Sequence, residues 1–222
     1  MSWESTAIYY RLLNELARER LGGLHSAKLL LWSFDFADVA ERQHGGDWDG
    51  ASVLMVEAAQ RLKAGGAEAL VICTNTMHLM ADTVERAAGL PVLHIADATA
   101  SAMRGAGCNR PLLLATRFTM EQTFYKQRLS ARHGIEAAVP SPEDRETIHH
   151  VIYDELCQGV VRPESKAAYL DVIARVQRER EVDSVIMGCT EITMLIGQAD
   201  TDVPVFDTTR LHAQSAMDFA LS

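Results

Sequence analysis

The chain has 222 residues, 48% of them hydrophobic, and a formal net charge of −9. That size and apolar content allow one large α/β unit or two smaller lobes, and the acidic balance argues against a nucleic-acid partner. No apolar run reaches the roughly 18–20 residues that span a bilayer, and the N-terminus lacks the basic-then-apolar pattern of a signal peptide, so a cytoplasmic protein with no membrane partner is expected.

In chain order, residues 6–20 read as helix, 28–34 as strand, 51–64 as helix, 69–73 as strand, 76–88 as helix and 92–95 as strand. A soft boundary follows at 101–110, where Gly105, Gly107 and Asn109 break the periodicity. Beyond it come strand 111–115, helix 119–132, strand 135–139, helices 145–156 and 164–180, strand 184–188, helical turn 192–196, strand 203–206 and helix 209–221. Near-continuous apolar strands alternating with amphipathic helices indicate parallel sheets covered on both faces. The expected division is residues 1–100 plus 206–222 for one lobe and 101–205 for the other. The mixed-sign run from Arg175 to Glu181 reads as a solvated helix face.

Four cysteines stand at positions 73, 108, 157 and 189. They are too few for a disulfide scaffold, and no C-x-x-C pair or neighbouring histidine spacing points to metal. Two of them share a context. Leu70-Val71-Ile72-Cys73-Thr74-Asn75-Thr76 echoes Val185-Ile186-Met187-Gly188-Cys189-Thr190-Glu191, an apolar strand ending in Cys-Thr before a helix-like segment. Ligands of open α/β sheets bind at that end of the strands. A lone cysteine there is most often packing; two matched turns favour chemistry. Cys108 and Cys157 have no such partner and read as packing.

Opposed thiols suit the removal of a Cα proton from one face of a substrate and its return on the other. Amides at a helix N-terminus are expected to lower each thiol's pKa. The hydroxyls of Thr74, Thr76 and Thr190, with Asn75 and the turn amides, can hold a substrate carboxylate and the charge that grows on it. Glu191 can tune Cys189 upwards, orient Thr190 or meet helix amides. Trp48, read as part of the loop 45–50, can pack on an alkyl side chain or be a half-exposed loop aromatic. His78, five positions after Cys73, is expected to face away from the thiol. Asp97 and Asp207 are expected at strand ends, capping the turns that follow.

The chain resembles the aspartate/glutamate racemase superfamily, most closely its broad-specificity amino-acid racemases. The resemblance rests on Met1-Ser2-Trp3-Glu4-Ser5-Thr6, Cys73-Thr74-Asn75-Thr76-Met77-His78, His94-Ile95-Ala96-Asp97-Ala98-Thr99, Ala115-Thr116-Arg117-Phe118-Thr119-Met120, Gly188-Cys189-Thr190-Glu191-Ile192 and Pro204-Val205-Phe206-Asp207-Thr208. It implies two pseudo-symmetric α/β lobes with a site between them, a free amino acid as substrate, no cofactor or metal, and a homodimer. It also implies Cys73 and Cys189 as the catalytic pair, with Met1, Thr74, Asn75, Thr76, Thr116, Thr119, Thr190 and Glu191 around the substrate.

Two departures qualify it. Relatives carry an apolar strand and a Gly-Gly turn before the segment that begins here at Met1, so the first strand of lobe 1 is expected to be missing, with unpaired backbone edges beside it. Relatives restricted to acidic amino acids place basic residues on the distal carboxylate, whereas 45–50 offers acids and an indole, and Cys157 aligns with a lysine of such relatives. Neutral or basic substrates are therefore favoured, with Arg42 and Lys166 as the remaining anchors for aspartate. The alternatives are an aspartate-specific racemase, a maleate isomerase or decarboxylase of the same superfamily, and an inactive ligand-binding remnant.

Overall fold

Side-chain alternation along one short strand organises the first part of the protein. In the computed structural model, which describes residues 1–222, strand β1 (Leu70–Val71) pairs in parallel with β2 (Val92–Leu93). Leu70 and Ile72 enter a core shared with Val39, Met55, Ala59, Met80 and Val84. Val71 and Cys73 pack on the other side, against Tyr9, Leu16, Ala17, Ala213 and Met217. The period of two thus delivers Cys73 to the face covered by helices α1 (Trp3–Leu21) and α10 (Thr208–Ala220).

The chain divides into Met1–His94 with Ala213–Ser222, and Ile95–His212. The division was expected near 100/101 and 205/206. It falls elsewhere because α5 (Ile95–Gly105) buries Ile95, Ala96, Ala100 and Met103 in the second unit's core, which also takes Phe206 of β5 (Val205–Asp207). In that unit β3 (Pro111–Leu114), β4 (Ser184–Met187) and β5 form a parallel sheet in the order β3-β4-β5. Every residue of β3 and β4 is buried, as a strand covered on both faces requires. Both units are therefore α/β with parallel strands and helices upon them.

Helix ends follow their caps. The Ser2 hydroxyl accepts from Ser5 N at 3.1 Å and starts α1 before the expected residue 6. Asp35 and left-handed Gly46 bracket α2 (Phe36–Gly45), a helix absent from the sequence reading because only Val39 and Gln43 of it are buried. Asp47 accepts from Gly50 N at 2.9 Å and starts α3 (Trp48–Ala64), so Trp48 lies in a first helical turn rather than a loop, half-buried against the first core. The expected helix 76–88 is a 3₁₀ turn, Thr76–Met80, followed by α4 (Ala81–Ala88). Gln122, extended at ψ 154°, splits the expected helix 119–132 into α6 (Arg117–Glu121) and α7 (Thr123–His133). The rest are α8 (Pro142–His150), which continues into a π-helical turn at Val151–Glu155, and α9 (Pro163–Glu179). No helix is long and apolar enough to cross a membrane.

Two expected strands differ. Residues 28–34 join no ladder, since β1 pairs with β2 alone, and Leu30, Leu31 and Trp32 are exposed. Residues 135–139 make a single parallel bridge, Ala138 to Leu112, with Leu113 N donating to Ala138 O at 2.8 Å. Asp97 ends no strand. It sits in the first turn of α5, takes Arg128 at 2.8 and 2.6 Å and His133 at 2.8 Å, and ties α5 to α7. Asp207 does cap its turn, accepting from Thr209 N at 2.9 Å and Arg210 N at 3.2 Å.

Candidate active site

The two Cys-Thr turns have the same construction. Cys73 lies two residues past the end of β1 and Cys189 two past β4, and each precedes a five-residue 3₁₀ turn, Thr76–Met80 and Thr190–Met194. Both thiols are free and half-buried.

At the first turn Thr74 N donates to Ile72 O at 2.7 Å, and the Met1 ammonium donates to Cys73 O at 3.4 Å. Met1, Thr74, Asn75 and Thr76 thus surround Cys73 within one unit, with Asn75 and Thr76 buried. His78 Nδ1 lies 2.7 Å from Thr74 O, and its ring lies 4.5 Å from that of His94.

At the second turn the Cys189 thiol donates to Glu191 Oε2 at 3.0 Å, and Thr190 and Glu191 are both buried. Among the roles open to Glu191, contact with the thiol is present. Thr116 caps α6, its hydroxyl 3.3 Å from that of Thr119, and both are buried in the same unit as Cys189. Trp48 belongs to the other unit. Cys157, read as packing, lies close enough to Cys189 to help raise its pKa; only tertiary packing brings residues so far apart in sequence together.

Gly188 sets the position of Cys189. It donates to Leu114 O at 2.7 Å, and a Cβ there would stand 2.8 Å from Leu113 Cδ1, 3.0 Å from Ala115 Cβ and 3.2 Å from Leu114 O. Gly188→Ala should therefore push the turn off β3 and cost about 1–3 kcal/mol by overpacking. Thermal unfolding measures this, and an unchanged midpoint would show that the turn yields freely.

The expected fall in thiol pKa does not occur. Burial pushes Cys73 up to about 11, with the Met1 ammonium drawing it partly back. Cys189 is raised well above its ordinary value, first by burial, then by the Glu191 carboxylate and the neighbouring Cys157. A single 3₁₀ turn has few aligned peptides and a small dipole, so desolvation wins. Both groups rest as neutral thiols, and Cys189 already has a carboxylate placed to take its proton.

The basic residues named as anchors for an acidic side chain are engaged elsewhere. Arg42 Nη1 meets Asp47 Oδ2 at 2.7 Å, and Lys166 Nζ meets Asp200 Oδ1 at 2.6 Å.

Comparison with known proteins sets these turns in a family. The Asp/Glu/hydantoin racemase family model matches residues 1–216. A solved structure of a candidate Asp/Glu racemase from Yersinia pestis is 50% identical, covering 100% of this chain and 96% of its own, with a TM-score of 0.91. An aspartate racemase homologue from Pyrococcus horikoshii is 32% identical over 99% of this chain and 95% of its own, with a TM-score of 0.84. At 18% identity over 184 residues, 79% of this chain and 75% of the relative, stands a broad-specificity amino-acid racemase of Bacillus subtilis. The chain belongs to the Asp/Glu/hydantoin racemase family.

Proposed function

We propose that the protein is a cofactor-independent amino-acid racemase in which Cys73 and Cys189 alternate as base and acid. The observation that carries this reading is the pair of Cys-Thr turns, each at the carboxyl end of a parallel strand and each presenting a half-buried thiol. One thiolate takes the Cα proton; the electron pair left behind spreads into the carboxylate, and the other thiol delivers a proton to the opposite face. The substrate carboxylate is assigned to the hydroxyls of Thr74, Thr76, Thr116, Thr119 and Thr190 with Asn75, donors suited to the charge that grows on it. A substrate ammonium beside a thiol favours the thiolate and so offsets the burial that holds the resting groups protonated.

For the side chain, neutral and basic amino acids are the favoured class, because Arg42 and Lys166 already hold acids of their own. Trp48, packed at the start of α3, is the surface assigned to an alkyl chain. The aspartate racemase homologue at 32% identity favours a second reading, racemisation of aspartate.

A panel assay separates them. The reduced protein is incubated with each L-amino acid and the D-enantiomer is measured by chiral chromatography. Conversion of several neutral or basic amino acids with little aspartate is expected; aspartate alone would install the second reading. Turnover of maleate or an arylmalonate, with no amino acid converted, would end the racemase proposal.

A further inference from the structure

Donors are assigned to the substrate carboxylate, but its ammonium has no acceptor, and an acid at the end of β5 is unused by the thiol scheme. Strands β4 and β5 pair in parallel with Met187 opposite Asp207, so these two side chains leave the same face of the sheet. The backbone stays in register past β4: Gly188 N donates to Leu114 O at 2.7 Å, and Cys189 is extended at φ −143° and ψ 136°. Gly188 faces the opposite way, since a Cβ there would meet Leu113 and Ala115. The period of two therefore puts Cys189 on the face that Met187 shares with Asp207. On the β3 side of Cys189 stands Thr116, two residues past Leu114, which is the partner of Met187. On the β5 side stands Asp207.

Asp207 has capacity to spare. Thr209 N and Arg210 N both donate to its Oδ1, at 2.9 and 3.2 Å, and Oδ2 takes no hydrogen bond. Burial raises its pKa, against the capping amides and the Arg210 charge, which lower it. The fold has thus already drawn this carboxylate out of water, and a cation at Oδ2 supplies the partner that water no longer provides. Next to it the Thr209 hydroxyl is buried without a hydrogen-bond partner. Thr208 Oγ1 donates to Met187 O at 2.8 Å and fastens the start of α10 to the end of β4.

The spacing suits an α-ammonium. Strands about 4.8 Å apart with a rise of about 3.3 Å per residue put the Cα atoms of Asp207 and Cys189 roughly 8 Å apart. That span is bridged by a substrate Cα held about 3–3.5 Å from the sulfur, its C–N bond, and an ionic hydrogen bond of about 2.8 Å to the carboxylate.

We propose that Asp207 is a substrate-binding residue: its Oδ2 receives the α-ammonium of the amino acid beside Cys189, while Thr116 and Thr119, on the other side of the thiol, take the carboxylate. This rests on the racemase reading. Asparagine caps a helix as well as aspartate, so Asp207→Asn should unfold near the wild-type temperature. The probes are the amino acid that wild type converts fastest and the 2-hydroxy acid of the same side chain, which carries a hydroxyl in place of the ammonium. In Asp207→Asn, kcat/KM for the amino acid should fall about 10-fold to 100-fold, chiefly through KM, while the inhibition constant of the 2-hydroxy acid moves less than about threefold. Equal weakening of both ligands, or unchanged kcat/KM, overturns the assignment. Asp207→Ser, a second cap without the charge, repeats the comparison should the asparagine variant unfold early. If wild type racemises no amino acid, the racemase reading falls and thermal shifts decide. Stabilisation by leucine that 2-hydroxyisocaproate does not match, and that Asp207→Asn abolishes, sustains an ammonium site at Asp207; its absence in wild type overturns it.

Discussion

Replacing either Cys73 or Cys189 by serine should lower racemisation about 10³-fold, since each removes one of two proton-transfer groups and a serine hydroxyl is far less acidic than a thiol. The swap nearly preserves volume at two half-buried positions, so the fold should persist, and a thermal unfolding curve checks that. The equilibrium constant between enantiomers is one, so kcat/KM must fall equally in both directions and net rates cannot assign faces. Solvent exchange can. In deuterium oxide a single surviving thiol can still withdraw and return the Cα proton on its own face, so each variant should wash deuterium into one enantiomer, and the two variants should favour opposite ones. Chiral chromatography and proton NMR read the two quantities. Near-wild-type racemisation by either variant would sink the two-thiol mechanism.

The two Cys-Thr turns were legible because each is a local pattern, an apolar strand running into Cys-Thr. Cys73 and Cys189 indeed follow β1 and β4 by the same offset. What the sequence concealed depends on the rest of the fold. The run 28–34 has the composition of a strand, but a strand exists only through a hydrogen-bonded neighbour, and none pairs with it. The strand pattern of 92–95 runs directly into α5, masking a helix start at Ile95. Asp35 and Gly46 marked the ends of α2, yet its sparse apolar face gave no periodicity to frame. The thiol pKa values went astray for a related reason. The dipole of a following helix can be guessed from sequence, whereas desolvation is a property of the packed interior. Glu191 stands two residues from Cys189, and its effect was foreseeable; the influence of Cys157 was not.

Glu191→Gln keeps the shape and an acceptor oxygen near Cys189 but removes the charge, which makes it the most informative single change after the cysteines. Burial is the first cause of the raised Cys189 pKa and stays; the Glu191 charge is the second and is lost, so the value should fall. The pH midpoint for alkylation of Cys189 by iodoacetamide, read by peptide mass spectrometry, should move to lower pH. That of Cys73, about 11 and governed by its own burial and Met1, should stay in place. The linkage runs the same way. A thiol raised in the folded state contributes stability below its unfolded value near 9.0, and that contribution fades as pH climbs through the folded value. Wild-type unfolding temperatures should therefore drop on the alkaline side of pH 9, and the variant's should drop less. Catalysis answers a different question, because the neutral amide cannot take the proton that Cys189 must release to become a base. Racemisation at neutral pH should fall on the order of 10-fold to 100-fold even though the thiol has become more acidic. A variant with a lowered alkylation midpoint and undiminished turnover would show that Glu191 only tunes the thiol; one with both diminished would identify it as the group that holds the proton in transit.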